Sequence, residues 1–243
     1  MKLKYTLVIG IAFLFGGILS AQNNYSYEKT FAGYKSYLSN EFGVSCKAPK
    51  KFTNLDKYFV LFKIRKDKDK HTGSIYGPLF LSRDKQCIVL YGALPRDFSK
   101  GGKESTMSHP AYPRSQITAE IKTALGLFYS GGNPKNNDST TFNFNDYVTT
   151  ITGHKARAMF NADVIYKYDF PGADSVYFID DSLEKLRHEK YPFCTGVFIT
   201  KNNRATMDVK LLFTKEGKQH EKKYVDLLRE QIWYEDDFVK GEK

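Results

Sequence analysis

The side chains best suited to chemistry in this 243-residue chain lie on one stretch, Pro95 to Arg114. His109 could act as a general base, and Arg96 or Arg114 could hold a carboxylate or a phosphate. The stretch also contains two adjacent glycines, three prolines and mostly polar residues, and long irregular loops of this kind often carry ligand contacts. It is therefore either part of a catalytic or binding site, or a surface loop that its prolines stiffen.

Motifs of the common enzyme and metal-binding classes are absent from the sequence. It contains no Gly-x-Ser-x-Gly elbow, His-Glu-x-x-His pair, Walker loop or Cys-x-x-Cys pair. Ser-x-x-Lys occurs three times, as chance allows in a Lys-rich chain, and the five histidines form no i, i+2 or i, i+4 pair. Asp180, Asp181 and Glu184 lack the spacing of a calcium loop and are typical of a solvated turn. These patterns predict neither a metal site nor a cofactor.

The elements that must position the Pro95–Arg114 loop are mostly strands. Apolar residues at helical spacing predict helices over Tyr27–Ser39 and from a Ser115 cap to Phe128. Apolar runs and alternation predict strands at Val44–Ala48, Tyr58–Ile64, Ile75–Ser82, Cys87–Leu94, Thr141–Ile151, Lys155–Phe160, Asp163–Phe170 and Ser175–Ile179. Asp180–Tyr191 is predicted to be a charged connection.

The clearest structural signal is a hairpin followed by a helix, Phe193 to Tyr234. Residues 205–213 alternate apolar and polar side chains, which predicts a half-buried strand, and Asn202-Asn203 suits a two-residue turn. Tyr224, Leu228 and Ile232 then recur at helical spacing, which predicts a helix after a Thr214 cap. Strands in hairpin-like succession predict an α+β fold, a largely antiparallel sheet with helices packed on it.

The N-terminus is typical of a secretory signal over residues 1–21. Lys2 and Lys4 precede an apolar run of 13 residues, Leu7–Leu19, and a small-residue cleavage site follows at Leu19-Ser20-Ala21. The run is shorter than the ~20 residues that a membrane span needs. We therefore expect a single domain over residues 22–243, with no membrane span after cleavage, in the periplasm or outside the cell.

Positive charge is concentrated in Lys47–Lys70, which has nine Lys or Arg and three Asp. The acidic and basic residues of Lys66-Asp67-Lys68-Asp69-Lys70 are typical of the solvated tip of a hairpin. Export removes most nucleic acid from reach, so we expect no nucleic-acid partner. Lys66, Lys68 and Lys70 could instead contact an acidic envelope polymer, or they could form a basic surface that only aids solubility.

The chain has three cysteines, Cys46, Cys87 and Cys194. In an oxidising compartment an odd number suggests one disulfide and one free thiol. Because each lies in or beside a predicted strand, all three could instead be small buried core residues.

The order of elements resembles the PsbP-like α-β-α sandwich. The features of this sequence that carry the resemblance are an early strand ending in Pro49, a mid-chain helix, an aliphatic strand after Gly153, and the closing hairpin and helix of Phe193–Tyr234. Domains of that fold mostly bind or assist other proteins, so the resemblance implies a binding role. Three short segments are similar to a group of secreted bacterial proteins with no established activity: Phe160–Asp163, Cys194–Gly196 and Asn202–Thr206.

These observations favour a non-enzymatic binding protein that contacts an envelope protein or an acidic polymer. Two alternatives remain open at this point. The first is an envelope hydrolase or lyase with a site on the Pro95–Arg114 loop. The second is a binder of acidic polymer through Lys47–Lys70.

Overall fold

A computed structural model of the chain describes residues 30–57, 62–64, 72–75, 77–94, 112–125, 142–170, 175–202, 204–229 and 231–238. Its elements in chain order are α1 (Phe31–Phe42), β1 (Val44–Cys46), β2 (Phe52–Asn54), β3 (Phe62–Ile64), β4 (Thr72–Ile75), β5 (Leu79–Ser82), β6 (Cys87–Leu94), α2 (Tyr112–Ala124), α3 (Phe144–Tyr147), β7 (Val148–Thr152), α4 (Gly153–Phe160), β8 (Val164–Asp169), β9 (Val176–Phe178), α5 (Asp181–Lys190), β10 (Phe193–Thr200), β11 (Thr206–Phe213), α6 (Lys215–Gln219), α7 (Glu221–Asp226) and β12 (Ile232–Tyr234).

The fold is α+β, as the sequence predicts. Seven strands form one antiparallel sheet in the order β2-β5-β6-β11-β10-β8-β7, so the β10–β11 hairpin lies near its centre. β1 pairs with β12, and β3 pairs with β4 and β9 in a small third sheet.

Both faces of the large sheet are covered. On one face, which we call the groove face, α1, α4, α7 and the β1–β12 pair contribute Leu38, Phe160, Tyr224 and Tyr234 to one apolar core. On the opposite face, which we call the α2 face, α2, α3, α5 and the third sheet build a second core around Ile117, Ile121, Phe144 and Phe178. The main sheet therefore separates two cores, and its central strands are buried on both sides.

Several predicted elements are present close to their predicted bounds. The Thr214 hydroxyl caps α6 by accepting a hydrogen bond from Gly217 N at 2.9 Å. α1 begins after a Thr30 cap and ends at Gly43, which adopts a φ of 60°. β3 and β4 form the predicted hairpin around residues 65–71, which lie outside the described residues.

The predicted strand Lys155–Phe160 is wrong, because this segment is the helix α4. Lys, Arg, Ala and Met are good helix formers, and the i, i+4 pair Ala156 and Phe160 gives the helix one buried face. Asn161 ends α4 in the left-handed conformation with a φ of 51°. The resemblance to PsbP-like domains counted this segment as a strand.

The predicted long C-terminal helix is also wrong. The chain forms two short helices, α6 and α7, and Ile232–Tyr234 is the strand β12, paired with β1. The three consecutive residues Ile232, Trp233 and Tyr234 have high strand propensity, which outweighs the helical spacing from Leu228. Leu228 and Ile232 are nevertheless buried, as predicted.

Other boundaries differ for local reasons. Ile75–Ser82 splits into β4 and β5, which belong to different sheets, and between them Gly77 approaches Tyr91 so closely that a Cβ would lie 1.7 Å from its carbonyl oxygen. The β10–β11 connection runs over five residues, 201–205, instead of a two-residue turn. Asp180–Tyr191 is mainly the helix α5, and α2 begins at Tyr112, ahead of the predicted Ser115 cap.

The three cysteines form no disulfide. Cys46, Cys87 and Cys194 are free and buried, so they are core residues, and the prediction of one bridge is wrong. Burial raises the pKa of each thiol well above its ordinary value, which keeps the thiols neutral.

None of the helices in the described part of the chain is long and apolar enough to span a bilayer.

Candidate functional site

Most of the residues predicted to do chemistry lie outside the described residues. Arg96 and His109 of the loop and Lys66, Lys68 and Lys70 of the hairpin tip are among them, so their roles remain predictions. Arg114 is described, and it belongs to the first turn of α2 instead of a loop. Its exposed guanidinium stacks over the Phe144 ring, 4.2 Å from the centroid.

The predicted acidic turn at Asp180 is a helix start. Asp180 caps α5 by accepting a hydrogen bond from Leu183 N, and Glu184 pairs with the buried Arg187 at 2.7 Å. Across the described ranges, no group of three His, Cys, Asp or Glu side chains could hold a metal ion.

The structure brings together a buried group that the sequence did not predict, which we call the sealed cluster: Glu120, Tyr168, Asp208 and Lys210. Lys210 Nζ lies 3.0 Å from Glu120 Oε2, 2.7 Å from Asp208 Oδ1 and 2.8 Å from Tyr168 Oη. Tyr168 also donates to Glu120. Each of these residues is at most 1% exposed.

Three strands and one helix hold the sealed cluster in place. Gly196 lies opposite both Tyr168 on β8 and Lys210 on β11. A Cβ at position 196 would lie 2.4 Å from Tyr168 Cζ, so only glycine leaves room for this ring to cross β10 and reach Lys210. α2 supplies Glu120 from above, and Gln116 Nε2 donates to Glu120 Oε1 at 3.2 Å.

The charges within the sealed cluster are unequal, with one cation facing two carboxyl groups. Burial raises the pKa of Asp208 to about 7, with Lys210 opposing the shift and Glu120 adding to it. Burial would lower the pKa of Lys210, but Asp208 and Glu120 outweigh it and raise the pKa instead. Asp208 Oδ2 accepts no hydrogen bond from any described group.

The sealed cluster is closed to solutes and serves as an internal ion network. The network ties α2 to the sheet through Glu120, and removing Lys210 leaves uncompensated buried carboxyl groups. The prediction of a half-buried β11 is therefore wrong, since all eight of its residues are buried. A sequence signal did exist: Asp208 and Lys210 have opposite charges at i and i+2, and the partner strand Phe193–Thr200 has no polar face of its own.

An open groove lies between α4 and α7 on the other face of the sheet, with a volume of about 640 Å³. We call it the α4–α7 groove. Its lining residues are Ile151, His154, Lys155, Ala158, Met159, Lys167, Glu221, Lys222, Val225, Asp226 and Arg229. The volume falls within the 300–1,000 Å³ range usual for ligand sites.

The floor of the groove is apolar and its rim is cationic. Ile151, Met159 and Val225 are half-buried aliphatic side chains between the two helices. Four Lys or Arg side chains and two carboxylates line the groove, which leaves a net charge of +2 with His154 neutral.

Some of the rim cations are already neutralised. Lys167 pairs with Glu221 at 2.5 Å. Asp226 pairs with Lys222 at 2.6 Å and with Arg229 at 2.9 Å. Within the described ranges, neither Lys155 nor His154 has an acidic or hydrogen-bonding partner, and both are exposed on α4.

A second ion network fixes the sheet side of α7. Lys218 Nζ lies 2.6 Å from Glu221 Oε2, 2.6 Å from Asp169 Oδ1 and 2.8 Å from Thr195 Oγ1. Burial would raise the pKa of Asp169, but hydrogen bonds from Lys218 and Thr195 outweigh it and lower the pKa. Glu221 is thus held from two sides, by Lys167 and Lys218, and is not available to a ligand.

The groove could not be predicted from the sequence, because the sequence pattern predicts a strand at Lys155–Phe160, where the helix α4 lies. On a strand His154 and Lys155 would point to opposite faces, whereas the helix places both on the groove rim.

No protein-family model matches the chain, and no curated protein matches it in sequence.

Proposed function

We propose that this chain is an exported, non-enzymatic binding protein that holds a partner in the α4–α7 groove. The export part of the proposal rests on the signal-like residues 1–21. The binding part rests on one observation, an open groove with an apolar floor and a rim on which Lys155 has no acidic partner among the described residues.

The arrangement of titratable groups supports binding over catalysis. Catalytic acids and bases must reach a substrate, but Glu120, Asp208 and Lys210 are fully enclosed. The groove has the opposite character, since it is accessible and holds no buried titratable pair. Its apolar floor can contribute affinity, and the charged side chains on its rim can orient a partner.

Site-directed photocrosslinking tests this proposal. We would place p-benzoylphenylalanine at Ala158, an exposed groove residue, and at Lys185, an exposed residue of α5 on the α2 face. After illumination in an envelope extract, the position 158 variant should form a discrete adduct that the position 185 variant lacks. Identical adducts from both positions, or no adduct from position 158, would contradict a binding role for the groove.

A further inference from the structure

We propose that the α4–α7 groove takes a short acidic peptide segment whose carboxylates alternate with apolar side chains. This inference rests on the proposed binding function and assigns the chemical class of the partner. It is carried by the charges on the rim, by the apolar floor and by the open side of the groove.

The net positive charge of the lining, with Lys155 unpaired, sets the sign of the ligand charge. Lys155 has no partner in the described part of the chain, and His154 lies beside it on the same helix. On the opposite wall, Lys222 and Arg229 share a single carboxylate, Asp226. With Glu221 included, the α7 wall is neutral, and the net charge of +2 comes from Lys155 on α4 and Lys167 on β8. An acidic ligand would be attracted to them and a basic one repelled.

The shape of the groove argues for a ligand with two kinds of side chain. Ile151, Met159 and Val225 offer aliphatic surface at the bottom, while the groove is open to solvent above them. A purely apolar ligand would leave part of its surface exposed to water on the open side, and that part would gain no hydrophobic stabilisation. A purely polar ligand would leave the floor uncovered, and a peptide with both kinds of side chain matches both surfaces.

The dimensions limit the ligand to a short segment. α4 has eight residues, so it runs for about 12 Å at 1.5 Å per residue. An extended peptide covers this length with about four residues at ~3.3 Å each. Two acidic and two apolar side chains in alternation then place the apolar groups on the floor and the carboxylates on the open side, where Lys155 is exposed.

Fluorescence anisotropy with labelled, end-capped octapeptides tests the ligand class. The probes are a peptide that alternates glutamate with leucine, one that alternates lysine with leucine, and one that alternates glutamate with serine. The first should bind, and each of the other two should bind at least about tenfold more weakly, because each lacks one of the two matching features. Decanoate, an acyl carboxylate, should not displace the first peptide.

Charge reversal in the groove assigns the site. Lys155→Glu should weaken binding of the glutamate–leucine peptide at least about tenfold. Lys185→Glu changes the net charge equally on exposed α5 and should leave the affinity within about twofold. Equal binding of the lysine–leucine peptide, displacement by decanoate or an unaffected Lys155→Glu variant would overturn the inference.

The outcome separates this inference from the function on which it rests. If position 158 crosslinks to a partner but no acidic–apolar peptide binds, the ligand class is wrong and the binding function stands. If position 158 crosslinks to nothing, the binding function itself is wrong.

Discussion

Charged side chains are enclosed on one face of the main sheet and accessible to solvent on the other. On the α2 face, Lys210 is fully enclosed with Glu120 and Asp208. On the groove face, Lys167 of β8 lies at the groove, with its side chain 34% exposed and paired to Glu221. The same residue type therefore serves as an internal tie on one face and as part of an accessible rim on the other.

The difference between the faces shows where binding can take place. In the sealed cluster every donor of Lys210 has a partner, so no donor is left for a ligand. In the groove the cations outnumber the carboxylates, and Lys155 stays unpaired within the described residues. Enclosure of the charged groups, more than their presence, separates the structural site from the candidate binding site.

The largest expected loss of stability comes from a substitution in the sealed cluster. Lys210→Met should lower the free energy of unfolding by about 3–5 kcal/mol, because it leaves two buried carboxyl groups without their cation. Chemical denaturation followed by circular dichroism measures this loss. A loss below about 1 kcal/mol would mean that the cluster is hydrated and resembles a surface site.

Gly196→Ala tests whether the sealed cluster requires the space that Gly196 leaves for the Tyr168 ring. The new methyl group would lie 2.4 Å from Tyr168 Cζ and must displace the ring from Lys210. We expect a loss of about 1–3 kcal/mol in the free energy of unfolding, as for other overpacked sites. Gly153→Ala is the matched control, because nothing lies within 4 Å of the new methyl group. The φ of +62° at position 153 is unfavourable for alanine and should lower the free energy of unfolding by about 1 kcal/mol. A larger loss at position 153 than at 196 would contradict the predicted crowding.

The pH dependence of stability should differ between the faces. Burial raises the pKa of Asp208 from 3.8 to about 7, so the folded protein holds this proton more tightly than the unfolded chain. The associated stability is fully present below pH 3.8 and is lost as pH rises through about 7. The difference in unfolding free energy between wild type and Asp208→Asn should therefore fall by about 1 kcal/mol per pH unit across this window.

Asp169→Asn, beside the groove, is the control for that pH series. Because the pKa of Asp169 is lowered, its contribution is present above 3.8 and lost only at lower pH. The difference between wild type and this variant should stay flat between about pH 5 and pH 8. A flat line for Asp208→Asn would contradict the assignment of a raised pKa to the sealed cluster.

The smallest expected effect is that of Lys167→Met. This variant removes a partly exposed ion pair with Glu221, which still keeps Lys218. The free energy of unfolding should change by about 0–1 kcal/mol, in contrast to Lys210→Met. A loss as large as that of Lys210→Met, measured by the same denaturation experiment, would remove the distinction between the two faces.

Features set by neighbouring residues could be predicted from the sequence. The hairpin of Phe193–Phe213 and the Thr214 cap were recognised because alternation and capping act over a few residues. The antiparallel α+β class followed from the succession of such hairpins.

Features that depend on distant contacts could not be predicted. Burial of Lys210 depends on Glu120, 90 residues earlier, and on a helix that covers the polar side of β11. The groove depends on α4, and an eight-residue segment with apolar and basic residues is ambiguous between strand and helix. The alternation in β11 was recognised correctly, but the conclusion that one face was solvated required knowledge of its neighbours.

Lysine footprinting tests the central contrast between the faces most directly. The folded protein would be treated with an amine-acetylating reagent, with and without envelope extract, and each lysine quantified by mass spectrometry. Lys210 should stay unmodified, since it is 0% exposed, while Lys155 and Lys222 should react and then become protected when extract is added. Lys185 on α5 should react equally in both conditions. Modification of Lys210 in the folded protein, or equal reaction of Lys155 with and without extract, would contradict the account.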